Sequence, residues 1–327
     1  MKAIAHDGYG PPEDLELREI DKPTLKAKSV LVRLRAASVN PMDWHLTRGE
    51  PPFIRMMGGR NPRGRVPGAD IAGVVEAVGE QVTRFKVGYE VFGTCQGALA
   101  EYAAAKESTL APKPAGVTWE QAAAIPIAGC TALVAVRDYG RLQPGQRVLV
   151  NGASGGVGTF AVQIAKVLGG HVTGVCSTRN LDLVRAIGAE HAIDYTVEDF
   201  ASGDRRYDLV VQTAGKQTSA ELRRVLTPRG TLIEVGGGTG REIDVIRMRD
   251  VLWQMLKGRA LAPFVRQRAL LIVGKINRDN LAFIAKLIDE GKLTPVIDRT
   301  YPLTEAPEAI RHLETGHARG KVVVTVA

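Results

Sequence analysis

The segment Arg147-Val-Leu-Val-Asn-Gly-Ala-Ser-Gly-Gly-Val-Gly158 constrains this chain more than any other. Residues 148–150 read as a short β-branched and aliphatic strand, glycines turn the chain, and a helical pattern follows. Val157, Phe160, Ala161, Ile164, Ala165 and Leu168 recur at helical spacing as one apolar face, which Gly169 and Gly170 then stop. A strand, a glycine turn and a helix leave bare amides at a helix N-terminus, where the peptide dipoles favour negative charge. In the G-x-G-x-x-G register the positions are Ala153, Gly155 and Gly158, so only the first departs, to a small residue. Ser154, Gly155, Gly156, Val157 and Gly158 are therefore expected to hold a dinucleotide pyrophosphate. A glycine turn with a packing role only is the alternative.

The residue type about 20 positions further on selects between NAD and NADP. Here a strand at 172–175 runs into Cys176-Ser-Thr-Arg-Asn180, with no acid to accept from a ribose 2′-OH. Ser177 and Arg179 can instead hold a 2′-phosphate, by hydroxyl donation and by charge, which favours NADP(H). Otherwise Arg179 only starts the next helix, in solvent. Further short strands at 209–211 and 232–235 alternate with helical patterns, as in a parallel sheet of βαβ units. Residues 1 to about 120 differ: strands at 29–39, 71–78, 90–93 and 99–105 are punctuated by Gly and Pro, with a Gly/Arg/Pro-rich loop at 56–65. After an apolar run at 269–273 come a helix at about 280–289, a strand near 295–300, a helix at about 305–315 and a strand at 321–326.

A length of 327 residues makes two domains the expectation. The net charge of +8 suits an anionic ligand and permits weak nucleic-acid contact. The basic residues are scattered and aromatics are only 5 %, which argues against a dedicated nucleic-acid surface. Cys95, Cys130 and Cys176 are odd in number and lack a C-x-x-C spacing, so buried free thiols are expected rather than disulfides or structural zinc. With no apolar leader-like region and no stretch of membrane-spanning length, a cytoplasmic protein without a membrane partner is expected.

Five stretches, in order, resemble the medium-chain dehydrogenases/reductases, close to their zinc-independent quinone oxidoreductases and enone reductases. They are Ala36-Ala-Ser-Val-Asn-Pro-Met-Asp43, residues 66–79 (VPGADIAGVVEAVG), residues 151–158, residues 187–195 (IGAEHAIDY) and residues 316–326. The resemblance implies an α/β protein. A GroES-like β-rich catalytic domain would span 1–122, rejoined by about 295–327, and a Rossmann doubly wound parallel sheet 123–294, with the cofactor in the cleft. Zinc-dependent relatives carry Cys where this chain has Asn40, His where it has Ala69, and a third ligand near Ile127; none of these residues can serve, so no metal is expected. Asp70 and Cys130 are expected to be ordinary packing or loop residues.

The implied reaction is hydride transfer from NADPH to a quinone or an α,β-unsaturated carbonyl without a metal, the oxyanion or enolate needing only hydrogen-bond donors and a proton. Another activated carbonyl is a second candidate substrate. An NADPH-binding regulatory or RNA-contacting protein with incidental reductase activity is the reading from a different class. By resemblance, Asn40 and Asp43 line the nicotinamide end; Asn40 donates to a carbonyl or to the cofactor, and Asp43 orders its loop as an ordinary ionised carboxylate. His45 stands where many quinone reductases have Tyr, as a proton donor or a structural residue. Thr131 places a hydroxyl at a helix start near the nicotinamide. Tyr195 packs by the adenosine phosphate or in the core, Gly236 lets backbone approach the nicotinamide ribose, and Lys321 lies near the cofactor or in solvent. The run 269–273 falls where relatives pair Rossmann edge strands into a homodimer.

Overall fold

The computed structural model describes residues 1–50, 55, 64–215, 217–236 and 266–327. The chain divides into two compact units, Met1–Cys130 with Lys275–Ala327, and Thr131–Gly274. In chain order the strands are β1 (Lys2–Ala5), β2 (Glu16–Glu19), β3 (Ser29–Val39), β4 (Asp70–Val78), β5 (Glu90–Cys95), β6 (Tyr102–Pro112), β7 (Arg147–Asn151), β8 (His171–Cys176), β9 (His191–Asp194), β10 (Tyr207–Gln212), β11 (Leu226–Val235), β12 (Arg268–Ile272), β13 (Ile297–Pro302) and β14 (Lys321–Thr325).

In the first unit β13-β14-β3-β4-β5-β6 form one sheet, and β6 returns to pair with β3, which closes a small barrel. Along β3 the apolar Val30, Val32, Leu34 and Ala36 are fully or almost fully buried and Arg33 is exposed, while Leu31, Ala37 and Val39 at the alternate positions are buried as well. Two strand registers gather polar residues at one place. Antiparallel pairing sets Ser38 of β3 opposite Asp70 of β4, and Val39 of β3 opposite Val322 of β14. Residues 38–40, 70 and 321, far apart in sequence, therefore meet at one end of the sheet.

In the second unit six parallel strands run β12-β11-β10-β7-β8-β9. The order reverses between β7 and β10, the switch point at which doubly wound sheets bind ligands beyond the strand C-termini. One face is sealed by a core that includes Leu149, Val175, Tyr207, Val210, Leu222 and Leu232. The helix Gly156–Val167 buries Phe160, Ala161, Ile164 and Ala165 completely, the apolar stripe read from the sequence. Gly169, at φ 82, ends the following turn in the left-handed region that a side chain would strain.

Several expectations need correction. β1 and β2 pair with each other although the sequence pattern predicts no strand there. The strand expected at 99–105 begins at Tyr102 and continues to Pro112. Residues 41–48, read as a loop, form a helix, Pro41–Arg48. Cys95 is partly exposed in β5, whereas Cys130 and Cys176 are buried; all three are free thiols. The apolar run 269–273 forms the outermost strand β12, with Leu271 about half exposed. Most of the 56–65 loop and of the segment 240–270, where the substrate pocket is expected, lies outside the described residues.

Candidate functional site

Strand β7 ends at Asn151, and the turn after it is locked from both sides. Gly152 and Ala153 donate their amides to Val175 O of β8, while Thr213 Oγ1 donates to Asn151 O. The Asn151 side chain donates to Gln212 Oε1 at 2.7 Å and Gln217 Oε1 at 3.0 Å. Gly155 is the N-cap of the helix Gly156–Val167 and supplies no side-chain cap. The first amides of that helix, at Gly156, Val157 and Gly158, thus have neither an intrahelical acceptor nor a cap. A Cβ on Gly158 would collide with Gly152 O and approach two backbone atoms of Ala153 to 2.9 Å, so only glycine lets the helix sit this close to the turn. These bare, dipole-polarised amides fit a pyrophosphate.

At the end of β8, Ser177 opens a 3-10 turn, Thr178–Asn180. Asn180 is buried, and its Nδ2 donates to Ser154 Oγ at 3.0 Å and to Ser177 Oγ at 3.1 Å. Arg179 is exposed on the same turn. Asp194, at the end of β9, is turned back on its own loop, accepting from the amide and hydroxyl of Thr196. Hydrogen bonds from Thr178 and Thr196 hold its carboxyl below the usual carboxylate range. Tyr195 is 54 % exposed, which removes the core alternative for that ring. Gly236 donates its amide to Ile272 O at 3.1 Å. Thr131 does not stand at a helix start as expected: it lies inside a helix that begins at Pro126 and runs on past Leu133 as a π-helical stretch, Val134–Tyr139. There it packs on Gly274, where a Cβ would collide with its hydroxyl.

The first unit holds a second polar centre, assembled by the strand registers. Asp70 is fully buried and accepts from Ser38 Oγ at 2.9 Å, Asn40 Nδ2 at 2.9 Å and the Ile127 amide at 3.0 Å. Lys321, 4 % exposed, lies 3.4 Å from the same carboxylate and donates to Asn40 Oδ1 at 2.7 Å. The Asn40 amide is therefore engaged at both its oxygen and its nitrogen inside the protein. Asp70, expected to be a packing or loop residue, is instead the hub of this centre, and Lys321 is not solvated. No local feature of the sequence signals this, because the partners meet only through sheet pairing.

Asp43 sits in the first turn of the helix Pro41–Arg48 and accepts from the Asn40 amide at 2.7 Å, half of a capping box. It is not an ordinary ionised carboxylate: burial above all, with the charge of Asp70 adding to it, pushes its carboxyl up to about 7. Lys321 and the amides of Asn40 and Gly68 pull the other way. Between the ordinary value of 3.8 and about 7 the folded state holds a proton that the unfolded chain has released. Asp43 thus makes stability fall as pH rises through that window, with the full penalty present above it. The difference in unfolding free energy between wild type and Asp43→Asn should slope by up to about 1.4 kcal/mol per pH unit there. A flat difference from pH 4 to 7 in urea titrations would show that this carboxyl is not perturbed.

His45 is buried, stacks on Trp44 with centroids 3.7 Å apart and has Nδ1 2.8 Å from Glu50 O. A carbonyl requires a donor, so Nδ1 carries the proton and Nε2, buried without a partner among the described residues, is a bare acceptor. Burial also lowers its pKa, which keeps the ring neutral.

A zinc ion does not fit the first unit's centre. Ala69 and Ile127 offer no ligand side chain, and Asn40 and the Ile127 amide both donate to Asp70, beside an ammonium. Among the described residues no three His, Cys, Asp or Glu side chains gather in a metal-holding group.

Residues 26–115 match the alcohol dehydrogenase GroES-like domain, and residues 187–324 match a domain described as zinc-binding dehydrogenase. A chloroplastic quinone-oxidoreductase homolog of Spinacia oleracea is 34 % identical over 99 % of this chain and 98 % of its own length. A chloroplastic NADPH-dependent alkenal/one oxidoreductase of Arabidopsis thaliana is 33 % identical over 99 % of this chain and 79 % of its own. The structure of the quinone oxidoreductase from Coxiella burnetii superposes with a TM-score of 0.86 at 32 % identity, covering 100 % of this chain and 99 % of that one.

Proposed function

The chain belongs to the medium-chain dehydrogenase/reductase family, among its quinone oxidoreductases, and is an oxidoreductase that uses a nicotinamide cofactor; on that premise we propose that it reduces quinones or α,β-unsaturated carbonyls with NADPH and without zinc. The observation that carries this reading is the pair of polar centres: a turn of uncapped amides fit for a dinucleotide, and a Lys321–Asp70–Asn40 cluster whose polar groups are already engaged with one another.

Bound NADPH would supply the hydride. The amides of Gly156, Val157 and Gly158 hold its pyrophosphate, with Gly155 clearing the approach. Ser177 and Arg179 hold the 2′-phosphate together with Ser154, which is reassigned from the pyrophosphate because the Asn180 amide bridges its hydroxyl to that of Ser177, and Tyr195 covers it from the exposed end of β9. Gly236 leaves its ribose room. Asn40, Asp43 and His45 in the first unit, and Thr131 in the second, are each proposed as reaction-site residues. Of these, Asp43 is best suited to give up a proton near neutral pH, because its carboxyl is only partly ionised there. His45 Nε2 can accept a proton but has none to give in its resting form. Asn40 and Lys321 hold each other and Asp70, and so set the electrostatics in which Asp43 titrates.

The test is a panel of quinones, enones and alkenals with NADPH and NADH. Oxidation of NADPH in preference to NADH, unchanged by EDTA, is the expected result. A preference for NADH overturns the cofactor assignment, and loss of activity with EDTA overturns zinc independence.

A homodimer through β12 is also part of the proposal. Its outer edge is unpaired among the described residues, and Leu271 and Val273 are 49 % and 80 % exposed, an apolar edge that a second copy would cover. Light scattering at the monomer mass would end that part. No helix among the described residues is long and apolar enough to cross a membrane. We place the protein in the cytoplasm; recovery with membranes on fractionation would count against it.

A further inference from the structure

Asn180 makes no contact expected of a cofactor ligand, yet it joins the two serines at the phosphate end of the proposed nucleotide site. It is 4 % exposed, serves two serine hydroxyls with its Nδ2, and its Oδ1 is buried with no hydrogen-bond partner among the described residues. Turning the amide over would not remove the orphan. It would exchange one unpaired acceptor for an NH₂ with two unpaired hydrogens, a larger desolvation penalty. The orientation with nitrogen toward the serines is therefore the stable one, and it has a chemical consequence. Ser154 Oγ and Ser177 Oγ both act as acceptors toward Asn180. Each hydroxyl has a single hydrogen, and neither gives it to another described residue. Both hydrogens are left for an outside acceptor. The two oxygens lie within 3.0 and 3.1 Å of one nitrogen, close enough together to serve one tetrahedral anion.

We propose that Asn180 is a specificity-determining positioning residue: by donating to Ser154 and Ser177 it orients both hydroxyls as donors to the 2′-phosphate of NADPH. This rests on the NADPH reading above. The serines touch the phosphate and Asn180 acts through them. Arg179, exposed on the same turn, supplies charge to the phosphate.

Calorimetric binding of NADPH and NADH, which share a pyrophosphate and differ in the 2′-phosphate, separates the possibilities. Wild type should bind NADPH more tightly than NADH. Asn180→Ala should weaken NADPH about tenfold and leave NADH within about twofold, since it frees the hydroxyls to rotate without removing them. Asn180→Asp can only accept, so it should turn both hydroxyls toward itself and add a negative charge, weakening NADPH about a hundredfold. Ser154→Ala/Ser177→Ala should lose NADPH affinity with Asn180 intact, and adding Asn180→Ala to it should change nothing more. This triple comparison stands even if one variant folds poorly, which unaltered NADH binding monitors. Equal weakening of both nucleotides by Asn180→Ala, or an Asp variant no worse than the Ala variant, overturns the role given to Asn180 while leaving the cofactor assignment intact. Equal wild-type affinity for NADPH and NADH removes the cofactor assignment, and this inference with it.

Discussion

Lys321→Met should destabilise the protein by about 3–5 kcal/mol, the usual consequence of removing one partner from a buried ion pair. Methionine matches the length of the lysine stem but carries no charge. Asp70 would keep its bonds from Ser38, Asn40 and Ile127, yet face the interior as an unneutralised carboxylate. Asn40 Oδ1 would lose its donor, and Asp43, whose carboxyl Lys321 helps to keep ionisable, would be pushed higher still. Denaturant titration reads the effect directly. Combining Asp70→Asn with Lys321→Met should recover a good part of the loss, because the double variant buries no lone charge. If Lys321→Met is as stable as wild type, the ammonium is not neutralising Asp70.

Gly158→Ala should reduce NADPH affinity by about a hundredfold and lower stability by roughly 1–3 kcal/mol, the range for forcing atoms into a packed site. The new methyl would meet only backbone, Gly152 O and Ala153, and backbone cannot swing aside as a side chain can. The helix would have to back away from the β7 turn, taking the amides of Gly156 and Val157 with it. The third glycine of the fingerprint has this close helix–strand packing as its physical reason. NADPH and NADH should suffer alike, in contrast to the Asn180 variants, because both share the pyrophosphate. Wild-type affinity in Gly158→Ala would mean the nucleotide does not sit on this turn.

The parts of the fold legible in the sequence are those whose signal is local. The helix Gly156–Val167 announces itself by period and by glycines at both ends, and β3 by its β-branched alternation. The helix Pro41–Arg48 escapes a sequence reading although its start signals are there: Pro41 at the first position and Asp43 three residues after Asn40. The Lys321–Asp70 pair is hidden for a reason of its own. Its members are 251 residues apart, and only the pairing of β14 with β3 and of β3 with β4 brings them together. Nothing near Asp70 in sequence marks it as buried. The raised pKa of Asp43 is equally invisible, since it comes from burial and from that same pair.

The first unit is interrupted: β3 and β4 are made early, β14 only after all of Thr131–Gly274 has been synthesised. On a ribosome adding about 5–20 residues each second, the second unit's sheet can close while the first unit's sheet still lacks its last two strands, β13 and β14. Throughout that interval Asp70 waits without its counter-charge and Asn40 Oδ1 without its donor. The lysine that completes this centre is therefore among the last residues to leave the ribosome, and a nascent chain halted before Lys321 would carry Asp70 without its neutralising partner.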